Sequence, residues 1–251
     1  MSRGGSASWL RAGARRLRAF TLRGDAVECP CCGGRFRHFL VAGRPPRWNA
    51  RCPGCGAFER HRLLWLYLRE RTRVLESPAR LLAVAPERAL ERLLRRVPTL
   101  TYVSGDLGSP LAMVRFDVGA LPLRDGTFDA ILCTHVLEHV RDARRAMREL
   151  YRVLAPGAWA LLQSPIDPTR ATTYEDPAIV TPESRERAFG QRDHARVFGR
   201  DYGDWLRAAG FDVQVEDFAR SLGADAITRH ALDVDEDIYR CTRPALVAAG
   251  R

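Results

Sequence analysis

Two cysteine pairs stand near the start of this 251-residue chain, Cys29-Pro-Cys-Cys32 and Cys52-Pro-Gly-Cys55, with nineteen residues between them. Each pair forms a tight turn that aims two thiolates at one point. Proline after the first cysteine restrains the backbone, and glycine after the second (Gly33, Gly56) permits a left-handed residue from which amides reach the sulfurs. Two such turns at this separation make a tetrahedral site, so Cys29, Cys32, Cys52 and Cys55 are expected to bind zinc. Four thiolates fill the coordination sphere, which makes the zinc structural, and its binding folds a segment too small to fold alone. An iron centre or a redox pair is the other use of the pattern. Cys31 is a spacer inside the first turn, and Cys133 and Cys241 read as buried thiols in strands.

A second set of reactive side chains lies further on. THVLEH carries His135 and His139, and QRDHAR carries Asp193, His194 and Arg196. Imidazole is the side chain best suited to take a proton near neutral pH. His135 and His139 are four residues apart, but the strand-to-helix turn between them forbids assuming a shared face. His139 also reads as a satisfied structural histidine. Asp193, His194 and Arg196 together suit an acidic or hydroxylated ligand, and Tyr174 and Glu175 belong to the same region.

The elements that must position these residues follow from periodicity. From residue 80 strands alternate with helices: RLLAVA, PERALERLLRRV, LTYVSGD, MVRFDV, FDAILCTHV, then RDARRAMRELYRVL, stopped at Ala155-Pro156-Gly157. AWALLQSP is the next strand, a polar and helical segment spans about 167–209, and FDVQVEDF and DIYRCTRP close the chain as an antiparallel edge pair. Such alternation predicts a mostly parallel sheet covered on both faces, an α/β doubly wound fold. Ahead of it, 1–24 is a basic segment, 25–58 a zinc-ribbon-like module and 59–79 a connecting helix; 80–245 is the main domain. In a helical 1–24, Trp9, Leu10, Gly13, Leu17 and Phe20 share one face opposite Arg11, Arg15 and Arg18, which suits docking, fraying or a membrane surface.

All 40 basic residues are arginine. Residues 1–100 hold 21 of them against 7 acids, whereas residues 101–251 hold 19 against 23. The basicity therefore belongs to the N-terminal portion, either as a face for a polyanion or as a solvated surface. No apolar run approaches the roughly 18 residues that span a bilayer, and no secretory leader is visible. Cysteines in paired knuckles suit a reducing compartment, so a cytoplasmic protein is expected.

Residues 119–162 carry three specific elements: LPLRDGTFD before the fourth strand, HVLEHV after it and ELYRVLAPG before the fifth. With these the chain closely resembles class I S-adenosylmethionine-dependent methyltransferases, the ubiquinone/menaquinone-type group among them, over about 80–245. The whole chain also resembles a bacterial subgroup with paired cysteine knuckles ahead of this domain. The resemblance implies a Rossmann-like seven-stranded sheet with S-adenosylmethionine across the carboxyl ends of its strands. It implies Asp106, with Leu107 beside it, at the ribose hydroxyls, Asp117 and Val118 around the adenine, and Thr134 and His135 beside the sulfonium. Asp106 also reads as a turn residue and Asp117 as a helix cap.

The first cofactor loop departs from the family. Where two or three glycines are usual, this chain has Ala85-Pro86-Glu87. Pro86 and Glu87 suit the start of a helix, and Glu87 either caps that helix or receives the cofactor's ammonium group. His135, His194 and Arg196 are the candidates for positioning and deprotonating an acceptor. The resulting expectation is a methyltransferase acting on an O or N atom of a small metabolite or saccharide-like acceptor. The alternatives are a ribosomal or transfer RNA methyltransferase that holds RNA through the basic zinc module, and a non-catalytic binding protein with a degenerate cofactor loop.

Overall fold

The computed structural model describes residues 5–245, with side chains from Gly13 onward. The elements run α1 (Gly5–Thr21), β1 (Arg23–Glu28), β2 (Arg35–Phe36), β3 (Leu40–Ala42), β4 (Arg47–Arg51), α2 (Glu59–Arg71), β5 (Ala79–Val84), α3 (Arg88–Leu94), β6 (Leu100–Asp106) and β7 (Val114–Arg115). They continue with β8 (Phe128–Thr134), α4 (Ala143–Val153), β9 (Leu154–Gln163), β10 (Tyr174–Glu175), α5 (Pro182–Phe189) and β11 (Arg196–Val197). The last are α6 (Tyr202–Ala208), β12 (Asp212–Glu216), α7 (Phe218–Ser221), α8 (Ala224–His230) and β13 (Ile238–Thr242).

The chain forms two compact units. One holds the residues up to 75 with 88–96 and 217–237; the other holds 76–87, 97–216 and 238 onward. Segments 88–96 and 217–237, which the sequence pattern groups with 80–245, therefore fall in the first unit. The physical cause is visible at Ala89, which is buried in one apolar cluster with Val27, Cys29, Phe36 and Cys52.

In the second unit all seven strands of the main sheet are present, ordered β12-β13-β9-β8-β5-β6-β7. β5 pairs in parallel with β6 and β8, β6 with β7, and β8 with β9, while β13 is antiparallel to both β9 and β12. This is the expected mostly parallel sheet with an antiparallel edge. Leu81, Leu82, Ile131 and Leu161 are fully buried, as strands covered on both faces must be. α4 buries Ala143, Ala146, Met147, Leu150 and Val153, one stripe at helical spacing, and Asp142 caps it by accepting from the Arg145 amide at 2.9 Å.

One local expectation is met and another is corrected. The helix ends where the stop signal places it, at Val153 with Leu154 as its C-cap, and Leu154 is already extended and pairs with Phe128, so that the Ala-Pro-Gly residues sit in a register shift of β9. Of MVRFDV only Val114–Arg115 pairs as strand, at the sheet edge. In α1 the Leu17 and Phe20 side chains are exposed, while Trp9, Leu10 and Arg11 lie outside the described side chains. Among the described residues no helix is long and apolar enough to cross a membrane.

The first unit is organised around a buried cation. Arg62 of α2 has no exposed surface. Its Nε donates to His230 O at 2.7 Å, Nη1 to Ala50 O and Ala57 O, and Nη2 to Asn49 O and to Ala231 O at 2.6 Å. Its guanidinium also lies 4.5 Å from the centre of the Phe39 ring. One side chain thus ties β4, the second cysteine turn and the end of α8 together. Replacement by methionine leaves several buried carbonyls without donors, at about 1–3 kcal/mol each. Arg62→Met should therefore unfold at a temperature at least several degrees lower in thermal melts, and Arg62→Lys should recover little, since a compact ammonium cannot reproduce the planar fork.

Candidate active site

The order of the central strands creates the site. The chain runs outward from β5 to β6 and β7, then returns to β8 on the other side of β5. At such a switch point the connections diverge and leave a crevice beyond the carboxyl ends of the strands. Here that crevice is a cavity of about 1090 Å³, near the upper end for pockets that enclose small ligands.

Two residues at its base have unusual backbone. Ala85, after β5, has φ +51°, and His135, after β8, has φ +54°. Both lie in the left-handed region, at roughly 1–2 kcal/mol for a residue with a Cβ. The Ala85 amide donates to Gly105 O and the His135 amide to Gln163 O, each at 2.8 Å. The loop after β5 therefore makes a glycine-type turn without glycine. Gly105 itself is obligatory, because a Cβ there would meet the Phe116 ring at 1.8 Å.

Ala85, Asp106, Leu107, Asp117, Val118 and His135 all line the cavity, as does Arg196. Asp106 Oδ1 accepts from the amides of Gly108 and Ser109, so this carboxylate shapes the turn after β6 as well as facing the cavity. Asp117 Oδ1 accepts from the Gly119 amide at 2.8 Å in a turn, and no helix begins there. Val118 is buried and, with Phe116, supplies an apolar wall. Pro86, Glu87, Thr134 and His194 are not in the wall. Pro86 and Glu87 precede α3, which starts at Arg88 and not at Pro86. Thr134 is buried at the end of β8.

The two histidine-bearing motifs, more than fifty residues apart, meet on the other side of the cavity. The Ala195 amide donates to Glu138 O at 2.7 Å, and His139 Nδ1 donates to Asp193 O at 3.2 Å. Buried Arg196 donates to the carbonyls of Leu137, Val140 and Arg141 and pairs with Glu175 at 2.9 Å. His194 is buried with its ring edge-to-face on His139, centroids 4.7 Å apart. Burial, with the neighbouring His139, holds the His194 pKa below the ordinary imidazole value, which keeps the ring neutral at pH 7. Trp205 of α6 and Arg144 of α4 stack at 3.6 Å and close the wall.

Glu138 sits between the histidines. It is 2% exposed, and its Oε1 lies 3.5 Å from His135 Nδ1 and 4.0 Å from His139 Nε2. Burial acts to raise its pKa, but the two imidazoles outweigh this and the net shift is downward, so Glu138 is a carboxylate.

The four cysteines of the paired turns also converge, within the first unit. All four Sγ atoms lie within 4.8 Å of one another, with Cys29–Cys55 at 3.6 Å and Cys32–Cys52 at 3.8 Å. Sulfurs around a tetrahedral zinc with bonds of ~2.3 Å stand about 3.8 Å apart, so the cluster fits that ion. Cys31 turns away and donates to His61 O.

Comparison with known proteins agrees with this geometry. Residues 53–162 match the family described as methyltransferase domain. A demethylmenaquinone methyltransferase of Thermus thermophilus is 36% identical over 80 residues, 26% of this chain and 36% of that protein. A norajmaline N-methyltransferase of Rauvolfia serpentina is 52% identical over 48 residues, 18% of this chain and 16% of the relative. The matches thus span well under two thirds of these relatives' length. Among solved structures, that of the cyclase SpnF covers 83% of this chain and 88% of its own, with a TM-score of 0.52 at 17% identity, which shows a shared fold. Over residues 53–162 the chain is thus similar to methyltransferase domains, and its fold is shared with the SpnF structure.

Within this site, Glu138 is the residue that the sequence motifs did not single out. Its neighbours in HVLEH drew notice as imidazoles, whereas a glutamate five residues before an arginine-rich helix carries no such signal. The positive φ of Ala85 likewise has no signature in an alanine. It carries a prediction: Ala85→Gly should leave thermal stability unchanged or raise it by up to ~1 kcal/mol, because relief of the left-handed strain offsets the added chain entropy. The same change at Ala83, buried in β5, should destabilise by ~1 kcal/mol or more, and paired melting curves test the contrast.

Proposed function

We propose that this protein is an S-adenosylmethionine-dependent methyltransferase acting on an oxygen or nitrogen of a small, hydroxylated acceptor of metabolite or saccharide-like type, with the four cysteines holding a structural zinc ion. The observation that carries the reading is the convergence of Ala85, Asp106, Val118 and His135 on one cavity at the switch point. The cofactor supplies a methyl group on a cationic sulfonium. The chain's own part is to bind and align. Asp106 offers a carboxylate for ribose hydroxyls, Val118 and Phe116 an apolar surface for a purine, and the Ala85 turn lets backbone approach closely.

The acceptor side supports a small molecule. The segment from β10 to α6 contributes Glu175, Pro177, Asp193, Arg196 and Trp205 to the wall, so the space beside the cofactor region is enclosed by side chains. His135, in that wall, and His194, one ring behind it, remain the candidates for handling an acceptor proton. An RNA acceptor has separate support in the basic N-terminal portion and in exposed Trp48, stacked on His38 at 5.2 Å. A non-catalytic role, suggested by the missing glycines, loses its basis at Ala85, which keeps the left-handed turn. The clustered, unbridged thiols support a cytoplasmic location.

Calorimetric titration with S-adenosylmethionine tests the reading, and absence of binding at millimolar cofactor would sink it. Asp106→Ala should weaken binding roughly tenfold to a hundredfold, as expected for loss of hydrogen bonds to a charged group. Asp106→Asn keeps an oxygen for the Gly108 and Ser109 amides, so an equal loss there assigns the effect to the charge and not to the turn. For the zinc, Cys52→Ser should lose about one zinc ion per chain by elemental analysis; full retention would overturn the four-thiolate assignment.

A further inference from the structure

Glu138, His139 and His194 offer one carboxylate oxygen and two imidazole nitrogens that all lie within 4.8 Å of one another. Their remaining atoms are already oriented. Glu138 Oε2 accepts from Ser164 Oγ at 3.0 Å, and Oε1, buried, has no partner at hydrogen-bonding geometry among the described residues, with His135 Nδ1 at 3.5 Å. His139 Nδ1 faces a carbonyl, Asp193 O, which can only accept. In a neutral ring the proton is therefore on Nδ1 and the lone pair on Nε2, 4.0 Å from the Glu138 oxygen. A lone pair and a carboxylate oxygen directed at the same space repel unless a proton or a metal cation stands between them. A histidine held through its other nitrogen by a carbonyl, and a carboxylate held by a hydroxyl, are how metal ligands are oriented.

We propose that Glu138, His139 and His194 bind a divalent metal ion of the zinc, cobalt or manganese class, with an open coordination position toward the cavity. Two imidazoles and one carboxylate suit these borderline ions. Ligand atoms around a tetrahedral ion with bonds of ~2.0–2.1 Å stand about 3.4 Å apart, so the group closes by side-chain movements of about an ångström. His139 lines the cavity and His194 lies behind it, so the ion would meet solvent or ligand only from the cavity side.

The consequence for chemistry rests on the methyltransferase reading. A hydroxyl of the acceptor that takes the open position would lose its proton more readily, to solvent or to His135 in the cavity wall, since His194 as a ligand no longer serves as the base. Its oxygen then forms a bond to the methyl carbon as the carbon–sulfur bond breaks, and that electron pair stays on sulfur as a neutral thioether. The acceptor class is thereby narrowed to hydroxylated compounds able to coordinate a metal.

The test uses the full chain, equilibrated with excess zinc chloride and then freed of unbound metal. Elemental analysis should find about two zinc ions per chain, one in the cysteine site. Glu138→Gln, nearly isosteric, and His194→Ala should each hold one. Cobalt added to protein whose cysteine site is filled with zinc should give weak visible bands without strong sulfur-to-cobalt absorption, and both variants should lose them. A single zinc in the wild-type protein, or cobalt bands that survive both substitutions, would overturn the site. Circular dichroism confirms that each variant is folded, and the wild-type stoichiometry stands if one is not. Titration with S-adenosylmethionine separates the two readings: cofactor binding with no second metal discards this site alone, and a second metal with no cofactor binding discards the transferase.

Discussion

The site depends on two chain reversals made without glycine. A parallel strand that ends at a switch point must turn away at once, or the following residues fill the crevice. Ala85 and His135 make that turn in the left-handed region, on either side of the boundary between β5 and β8. Each reversal is fastened by an amide hydrogen bond to a neighbouring strand, Gly105 O or Gln163 O. A strain of a few kcal/mol survives there because the buried sheet beneath fixes both strands. His135 shows what such strain achieves: the left-handed turn carries the imidazole out of the sheet and into the cavity wall.

The far wall depends on a different device, a tertiary join. The Val136–Arg141 stretch is not helical, so several of its carbonyls have no partner within the segment. Arg196 supplies donors to three of them at once, and Glu175 offsets part of its charge. That brace holds Glu138 in a buried position and sets His194 against His139. Arg196 is therefore a positioning residue first, whatever else it meets in the cavity. The acidic and imidazole groups are close because a single buried guanidinium stitches two distant segments together.

What the sequence made legible divides along the same line. The alternation of apolar strands and amphipathic helices read correctly, as did the antiparallel edge, because periodicity is a local property of a buried face. The cysteine spacing was legible because a tight turn fixes where two thiolates point. Asp106, Asp117 and Val118 were placed by resemblance, at strand ends that the fold does bring to one cavity. Glu138 was not legible, since its burial comes from the tertiary contact with 193–196. The grouping of 88–96 and 217–237 with the N-terminal unit was hidden for the same reason, being decided by what Ala89 and Ala231 pack against. Local chemistry is written in local sequence, and long-range joins are not.

If the four cysteines hold zinc, as proposed, charge balance would account for part of the N-terminal basicity without a nucleic acid. A zinc ion among four thiolates carries a net charge of about −2, and this charge must be balanced within a small unit. Arg62 is the buried cation beside these thiolates: burial disfavours its charged form, while Cys29, Glu59, Cys31 and Cys52 act to favour it. Its five hydrogen bonds go to carbonyls and none to a carboxylate, so its full charge is left to face the cluster. Replacing the four cysteines with apolar residues would leave that buried cation with Glu59 as its remaining carboxylate counter-charge. The cysteine turns and Arg62 are for this reason one unit of design, and the remaining arginines of the segment can be weighed as surface only after this one is set aside.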